Sequence, residues 1–233
     1  MAQFVMTCDD FGRDEYTNAA VVDLAKKQPN VCASLMLNAP HTMNALDIAK
    51  NKKLTVGLHL NFDNILKRYE FGLNEQGIIK IPPYFFNKSI MERVREETVA
   101  QIKQAQSYGF QPAYIDSHHH SHLFLSLLPY VLDMARDYNI MNVRFYSQFY
   151  SNDTDAALAL EIIDAMRFKH PANLIPIHEL GAANKFDDND TYEIMVHPQI
   201  KGEYSEAWRM SDYEAAAAVI KSSSQYKIVT RSL

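Results

Sequence analysis

One short segment of the chain combines an aspartate with four histidines. Asp116 and Ser117 are followed by histidines at positions 118, 119, 120 and 122. Two further polar groups, the pair Asp9 and Asp10 and the single His59, also follow apolar runs. Carboxylate oxygens and imidazole nitrogens are common ligands of divalent metal ions. These residue types therefore predict a metal-dependent enzyme.

The chain alternates short apolar runs with amphipathic runs, and these predicted strands and helices must position the polar residues. The apolar runs are nearly continuous, which is typical of strands buried on both faces of a parallel sheet. The predicted strands span 4–8, 32–37, 55–60, 113–115, 143–146, 174–177, 192–196 and 226–229. The predicted helices span 15–27, 42–50, 90–108, 125–138, 154–168 and 212–221. Asp153 or Thr154 is expected to cap the fifth helix and Ser211 or Asp212 the last, whereas Gly109 should end the third.

This alternation predicts an α/β fold, a (β/α) barrel-like domain with seven or eight mostly parallel strands. An open doubly wound sheet is the alternative, and it is disfavoured because no glycine-rich phosphate turn follows the first predicted strand. We expect a single domain over residues 1–233, since this length with 47% hydrophobic residues suits one barrel. Residues 61–87 fit neither pattern and are predicted to form a long active-site loop.

Composition and charge argue against several classes of partner. The 23 Lys and Arg residues against 28 Asp and Glu residues give a net charge of −5, without a basic run that would indicate nucleic-acid binding. No apolar run approaches the ~18 residues of a membrane span, and the first residues lack the pattern of a signal peptide. Cys8 and Cys32 are too few to indicate a disulfide framework. We therefore expect a reduced, cytoplasmic protein.

Polar residues stand where the predicted strands end, and strand ends meet on one face of a (β/α) barrel. The set comprises Asp9, Asp10, His59, Asp116, His118, Arg144, His178 and His197. Each group could have an ordinary role, because paired aspartates also cap helices and single histidines are often buried and hydrogen-bonded. The histidine cluster could be a solvated loop. The occurrence of three such segments at strand ends favours one shared site.

Four segments together resemble the YdjC-like family of carbohydrate deacetylases, the chitooligosaccharide deacetylase group. They are residues 8–12, 57–60, 116–122 and 193–198, which occur in the order of the family and spread across most of the chain. The family often has Asn-Ala before its paired aspartates, where this chain has Thr7 and Cys8.

The resemblance implies a barrel-like fold related to the polysaccharide deacetylases and the hydrolysis of an N-acetyl group from an amino sugar. The implied substrate is a small carbohydrate, either a chitooligosaccharide or a phosphorylated disaccharide, because some members are encoded with uptake systems for cellobiose or diacetylchitobiose. The implied metal ligands are Asp10, His59 and His118. Asp9 would be the base and His197 the acid, and family members are often homodimers.

The chemistry of amide hydrolysis agrees with these implied roles. A metal with open coordination positions polarises the acyl oxygen and lowers the pKa of bound water. Asp9 would take the proton of the water and His197 would protonate the departing amine. Arg144 could orient Asp9 by a charge-assisted hydrogen bond, and Asp116 could orient a ligand histidine. The metal is open between magnesium, usual for the family, and zinc, which two imidazole ligands favour.

The residues alone leave alternatives open. In an extended segment His118, His120 and His122 would face one side, so that either of the last two could replace His118 as a ligand. The same site could serve another metal-dependent sugar-phosphate hydrolase or an isomerase. A catalytically silent sugar-binding protein is disfavoured, because such a protein needs neither a base nor an acid beside the metal.

Overall fold

The structure is a computed structural model that describes residues 2–66, 86–181, 185–222 and 226–231. Its strands are β1 (Gln3–Phe11), β2 (Cys32–Leu35), β3 (Thr55–Leu60), β4 (Ile115–Ser117), β5 (Leu174–Pro176), β6 (Thr191–Val196) and β7 (Lys227–Ile228). They form one sheet in the order β4-β3-β2-β1-β6-β5, and β7 pairs with the start of β1. Every pairing between these strands is parallel.

Single bridges extend this sheet beyond β4 and curve it into a half-barrel. Ile115 bridges Val143, and Asn142 bridges Lys169, both in parallel orientation. The predicted barrel-like α/β fold with mostly parallel strands is therefore confirmed. The strand predicted at 143–146 is wrong as a regular strand, because this segment makes only isolated bridges before the chain turns at Ser147–Phe149.

Helices flank the sheet in the part of the chain that the structure describes. They are α1 (Glu15–Lys27), α2 (Thr42–Lys52), α3 (Asp63–Leu66), α4 (Lys88–Ser107), α5 (Leu128–Asp137), α6 (Asp153–Ala165) and α7 (Ala207–Lys221). Gly109 follows α4 with φ +71°, which confirms that the left-handed conformation available to glycine ends this helix. The predicted loop at 61–87 begins with α3, and its residues 67–85 lie outside the described residues.

Two predicted helix caps are wrong. The side chain of Asn152, rather than Asp153 or Thr154, accepts the hydrogen bond that caps α6. Helix α7 begins at Ala207, so that Asp212 lies inside the helix and is free to contact another element.

The packing of Tyr114 against β3 explains why residue 57 is a glycine. A side chain at Gly57 of β3 would lie 2.2 Å from the ring of Tyr114, so only glycine leaves room for this aromatic. The Tyr114 hydroxyl lies 3.1 Å from the Ser34 hydroxyl, which donates to Asp116 at 2.6 Å. The buried glycine thus helps to place a carboxylate at the end of β4. Among the described residues, no helix is both long and apolar enough to cross a membrane.

Candidate active site

The structure brings seven of the eight predicted site residues together at the carboxyl ends of the strands. They are Asp9, Asp10, His59, Asp116, His118, Arg144 and His197. His178 lines the same cleft, but its side chain is 71% exposed and its ion pair is with Glu179 rather than with any of these seven. The strand ends therefore converge as predicted and bring these residues into contact. The chemical role of each residue stays a prediction.

Asp9 and Asp10 both face this site although they are neighbours at the end of β1. Adjacent residues of a regular strand point to opposite faces. Here the register between β1 and β2 shifts between Cys8 and Phe11, and Asp10 adopts a left-handed backbone conformation with φ 59°. Aspartate tolerates this conformation better than most residues, and such backbone strain is concentrated at functional sites. Both carboxylates are buried.

Asp10, His59 and His118 form a group that could hold a metal ion. Oδ1 of Asp10 lies 3.2 Å from Nδ1 of His118 and 3.4 Å from Nε2 of His59. The ligand atoms of the three residues all lie within 4.8 Å of one another. Oδ1 of Asp10 is buried, and although the two imidazole nitrogens lie within 3.4 Å of it, it makes no hydrogen bond of good geometry, which suits an oxygen that shares a cation with them.

Among the described residues, two other groups of three also have ligand atoms within 4.8 Å of one another, but they are weaker candidates for a metal site. In the group of Asp9, His59 and Asp116, both carboxylates already contact the guanidinium of Arg144. In the group of Asp63, His118 and His119, the last residue is exposed. The site around Asp10 therefore has the better donor set.

Asp116 holds the His59 ring in the orientation that a metal ligand would need at this site. Its Oδ1 lies 2.8 Å from Nδ1 of His59, which leaves Nε2 directed toward Asp10. Burial alone would lower the pKa of His59, but the carboxylates of Asp116 and Asp10 raise it to about 10. A histidine whose far nitrogen is bonded to a carboxylate is the usual form of a metal-ligating imidazole.

Arg144 connects the carboxylates of the site. Its guanidinium donates to both oxygens of Asp9 at 2.7 Å, to Glu193 at 2.8 Å, and lies 2.9 Å from Asp116. Burial alone would lower the pKa of this fully buried group, but the three carboxylates hold it well above its ordinary value. Glu193 in turn lies 2.9 Å from the guanidinium of Arg231.

His197 lies between two carboxylates directly after β6. Its Nε2 is 3.8 Å from Oδ2 of Asp9, and its Nδ1 is 3.8 Å from Oδ2 of Asp212. The backbone N–H of His197 also donates to Asp212 at 2.9 Å. Asp212 is buried on α7, so a helix that packs over the barrel fixes both the backbone and the ring of His197.

The remaining histidines of the cluster do not reach Asp10. His119 and His120 have left-handed backbone conformations with φ 57° and 54°, which break the alternation of an extended segment. The His120 ring instead packs 5.1 Å from the ring of Tyr146. His122 is buried between the Ser117 hydroxyl at 2.7 Å and the backbone carbonyl of Arg144 at 3.1 Å. The geometry thus favours His118 over both alternatives.

Sequence reasoning missed several residues of the site. The guanidinium of Arg209 donates to Oδ2 of Asp10 at 2.5 Å, and Asp212 contacts His197. Both come from α7, and nothing in their local sequence indicates this contact. Glu193 could have been noticed in the sequence, because it is a charged residue directly before the apolar residues 194–196 of strand β6.

A cleft of about 610 Å³ opens above these residues. Asp9, His59, His118 and His197 lie in its wall, together with aromatic side chains. The other lining residues are Ser117, His119, His120, Tyr146, Gln148, Phe149, Pro176, His178, Glu179, Met195, Trp208, Ser211 and Asp212. A volume of this size is within the range of about 300–1,000 Å³ that is typical of small-molecule sites.

Comparison with known proteins identifies a matching family. Residues 3–228 match the family model described as YdjC-like protein. A carbohydrate deacetylase of Clostridium beijerinckii is 28% identical over 203 residues, which cover 84% of this chain and 81% of the relative.

Two solved structures share the fold. A protein of Enterococcus faecalis assigned to cellobiose-phosphate cleavage superposes with a TM-score of 0.70 at 20% identity, covering 98% of this chain and 96% of that one. A peptidoglycan N-acetylglucosamine deacetylase superposes with a TM-score of 0.50 at 14% identity, covering 98% and 86%. At these identities the likeness establishes the fold alone, which this chain shares with both proteins.

Proposed function

This chain belongs to the YdjC-like protein family, and from that premise we propose that it is a metal-dependent carbohydrate deacetylase. It hydrolyses the acetamido group of an N-acetylated amino sugar to acetate and a free amine. The observation that carries this proposal is the buried Oδ1 of Asp10 between two imidazole nitrogens, with Asp9 and His197 beside it.

The donor set of Asp10, His59 and His118 fits a divalent metal ion. One carboxylate and two imidazoles suit zinc or another transition metal better than magnesium, which prefers oxygen ligands, so we propose a divalent metal with zinc ahead of magnesium. When bound, the metal supplies polarisation of the acyl oxygen and a lowered pKa of water. Arg209 occupies the second oxygen of Asp10, which leaves only Oδ1 for the cation.

Asp9 and His197 can perform the two proton transfers of the reaction. Asp9 accepts a proton from the attacking water as the water oxygen bonds to the acyl carbon, and Arg144 holds the carboxylate in place. His197 gives a proton to the nitrogen as the carbon–nitrogen bond breaks, so that a neutral amine leaves. The 3.8 Å between Oδ2 of Asp9 and Nε2 of His197 lets both residues face one reacting centre.

The proposed substrates are small N-acetylated sugars, either chitooligosaccharides or phosphorylated disaccharides. A cleft of about 610 Å³ that is open at the strand ends can take one sugar ring and part of a second. A cytoplasmic location and a homodimer stay predictions that go with this function.

A screen for acetate release tests the proposal. N-acetylglucosamine, di-N-acetylated chitooligosaccharides and their 6-phosphates are incubated with the protein loaded with zinc, magnesium, manganese or cobalt. We expect metal-dependent release of acetate from at least one sugar, abolished by chelation. Release of phosphate without acetate would identify a sugar-phosphate hydrolase instead, and release of neither product would overturn the assignment.

A further inference from the structure

Trp208 is the single tryptophan of the chain and stands in the wall of the cleft. It is 49% exposed, although it is the largest apolar side chain that a protein can bury. Its ring centroid lies 5.5 Å from that of His197, the candidate acid. An exposed aromatic surface inside a small-molecule cleft is typical of a position that contacts the ligand.

The indole is held rigidly before any ligand arrives. Its Nε1 donates to Oε2 of Glu206 at 2.7 Å, and the guanidinium carbon of Arg209 lies 4.4 Å from the ring centroid. Arg209 is itself buried and donates a hydrogen bond to Asp10. One face of the Trp208 indole therefore packs against a side chain that is fixed to a candidate metal ligand. A preorganised side chain loses little conformational entropy when a ligand binds to its exposed surface.

The place of Trp208 specifies which part of a substrate it would contact. An acid must lie beside the atom that it protonates, so His197 lies beside the amide nitrogen. In an amino sugar this nitrogen is bonded directly to the pyranose ring. Trp208 flanks His197, whereas Asp9, the proposed base for attack on the acyl carbon, lies 3.8 Å from Nε2 of His197.

We propose that Trp208 is the binding surface for the pyranose ring of the leaving amino sugar, an inference that rests on the proposed deacetylase function. The C–H groups on one face of the pyranose pack against the indole, which restricts the site to cyclic amino sugars. Simple acyclic amides present the same acyl group but lack this contact. Trp208 is therefore a specificity-determining residue, and it acts on the amine side of the scissile bond.

The fluorescence of this single tryptophan provides a test that needs no turnover. The metal-loaded protein is titrated with glucosamine, which carries the ring and the amine but no acyl group, and separately with acetamide, which carries the acyl group but no ring. We expect glucosamine to shift the emission to shorter wavelength and to saturate, because the sugar displaces water from the indole. Acetamide should leave the emission unchanged. No saturable shift with glucosamine, or an equal shift with acetamide, would overturn the proposal.

Kinetics of three variants give a second, independent readout. Trp208→Ala should raise KM for the sugar that releases acetate by about tenfold, equivalent to about 1.4 kcal/mol of lost contact, with a much smaller change in kcat. Trp208→Phe keeps an apolar ring and should recover most of this loss. Tyr108→Ala is the matched control, because Tyr108 is 43% exposed but lies at the end of α4, outside the cleft.

The outcomes separate this inference from the proposed function. Equal KM values for Trp208→Ala and the wild type would overturn the role of Trp208 while leaving the deacetylase function intact. If no sugar releases acetate, the proposed function fails, and the emission titration with glucosamine still decides whether Trp208 binds a sugar ring.

Discussion

Arg144 donates hydrogen bonds to both carboxylate oxygens of Asp9, each with a length of 2.7 Å. A two-point contact of this kind fixes the orientation of a carboxylate as well as its position. The same guanidinium lies 2.9 Å from Asp116, which orients His59. The buried guanidinium of Arg144 therefore couples the position of the candidate base to that of the candidate metal ligands.

Replacement of Asp9 should separate catalysis from metal binding. Asp9→Asn keeps the size of the side chain but removes its ability to take a proton. We expect turnover to fall by at least ~100-fold, the usual scale for a general base, with metal content unchanged. Initial rates of acetate release and the metal content of the purified protein check both parts.

The same isosteric change at an exposed position provides the control for Asp9. Asp133 lies on α5 and pairs with Arg136 at the surface, so Asp133→Asn should leave both turnover and metal content near the wild-type values. Near-normal turnover of Asp9→Asn would remove Asp9 from the role of base.

Metal affinity should depend on His118 more than on any other histidine of the cluster. His118→Ala removes a nitrogen that lies 3.2 Å from Oδ1 of Asp10, so metal should be lost on dialysis. Asp116→Asn leaves the three proposed ligands in place but disturbs the orientation of His59, and it should weaken metal binding by about 10- to 100-fold. Metal content by elemental analysis and competition with a chelator measure the two effects.

His178→Ala is the control for the metal prediction, because His178 lies in the same cleft with an exposed side chain and should retain the metal. Retention of metal by His118→Ala, together with its loss in a variant of His120, would move the ligand to the alternative histidine.

The strands and helices could be predicted where the apolar pattern is nearly complete. Residues 55–60 are apolar at most positions and form β3 with these bounds, and residues 15–27 form α1. The start of α7 was missed because Glu206 precedes it without a side-chain capping bond, so the usual cap residues are absent. The segment 143–146 has the composition of a strand, but composition does not determine whether a neighbouring strand pairs along its length.

The site could be predicted only where its residues follow strands. Asp9, His59 and His197 belong to the ends of β1, β3 and β6, and barrel geometry brings such ends together. Arg209 and Asp212 reach the same point because α7 packs over the barrel, which no local sequence pattern encodes. Sequence also could not distinguish His118 from His120, because the left-handed conformations that separate them are not a property of histidine itself.

Removal of His197 should affect poor leaving groups more than good ones. An amine needs a proton to leave, whereas the phenolate of an aryl acetate does not. We therefore expect His197→Ala to lower the rate of amide hydrolysis by about 100-fold or more and that of aryl acetate hydrolysis by much less. Metal content should not change, since Nε2 of His197 faces Asp9 rather than Asp10.

Asp212→Asn provides the matched variant for His197. It keeps a side-chain oxygen for the backbone N–H of His197 but removes the negative charge 3.8 Å from Nδ1 of the ring. A smaller loss of amide hydrolysis is expected, in the same direction. An equal loss on both substrates in His197→Ala would contradict its role as the acid.

Arg231 should contribute to stability rather than to chemistry. Its buried guanidinium lies 2.9 Å from Glu193 and 3.9 Å from the ring centroid of Tyr114. Arg231→Met leaves the carboxylate of Glu193 with less compensation, so the free energy of unfolding should fall by about 3 kcal/mol. Lys88→Met is the control, because its pair with Glu92 is exposed and is worth less than about 1 kcal/mol. Equal losses in the two variants, measured by urea denaturation, would show that the buried pair is not stabilising.

The free energy of unfolding should fall as the pH is lowered from about 6.5 to about 4, because of His122. Burial lowers the pKa of this ring to about 4, although the backbone carbonyl of Arg144 opposes the shift. In the unfolded chain a histidine titrates near pH 6.5. Over this window the unfolded chain therefore takes up a proton that the folded chain refuses, and the free energy of unfolding falls by up to about 3 kcal/mol. Above about pH 6.5 the ring is neutral in both states and contributes no pH dependence.

His122→Gln removes this titration while keeping a side chain that can donate to the Arg144 carbonyl. Urea denaturation at pH 7 and at pH 4.5 should show a smaller loss of unfolding free energy in this variant than in the wild type, even where the variant is less stable at pH 7. His178→Gln changes an exposed histidine and should follow the wild type at both pH values. If His122→Gln loses as much as the wild type on acidification, the ring takes up its proton in the folded protein, and another group is responsible for the acid sensitivity.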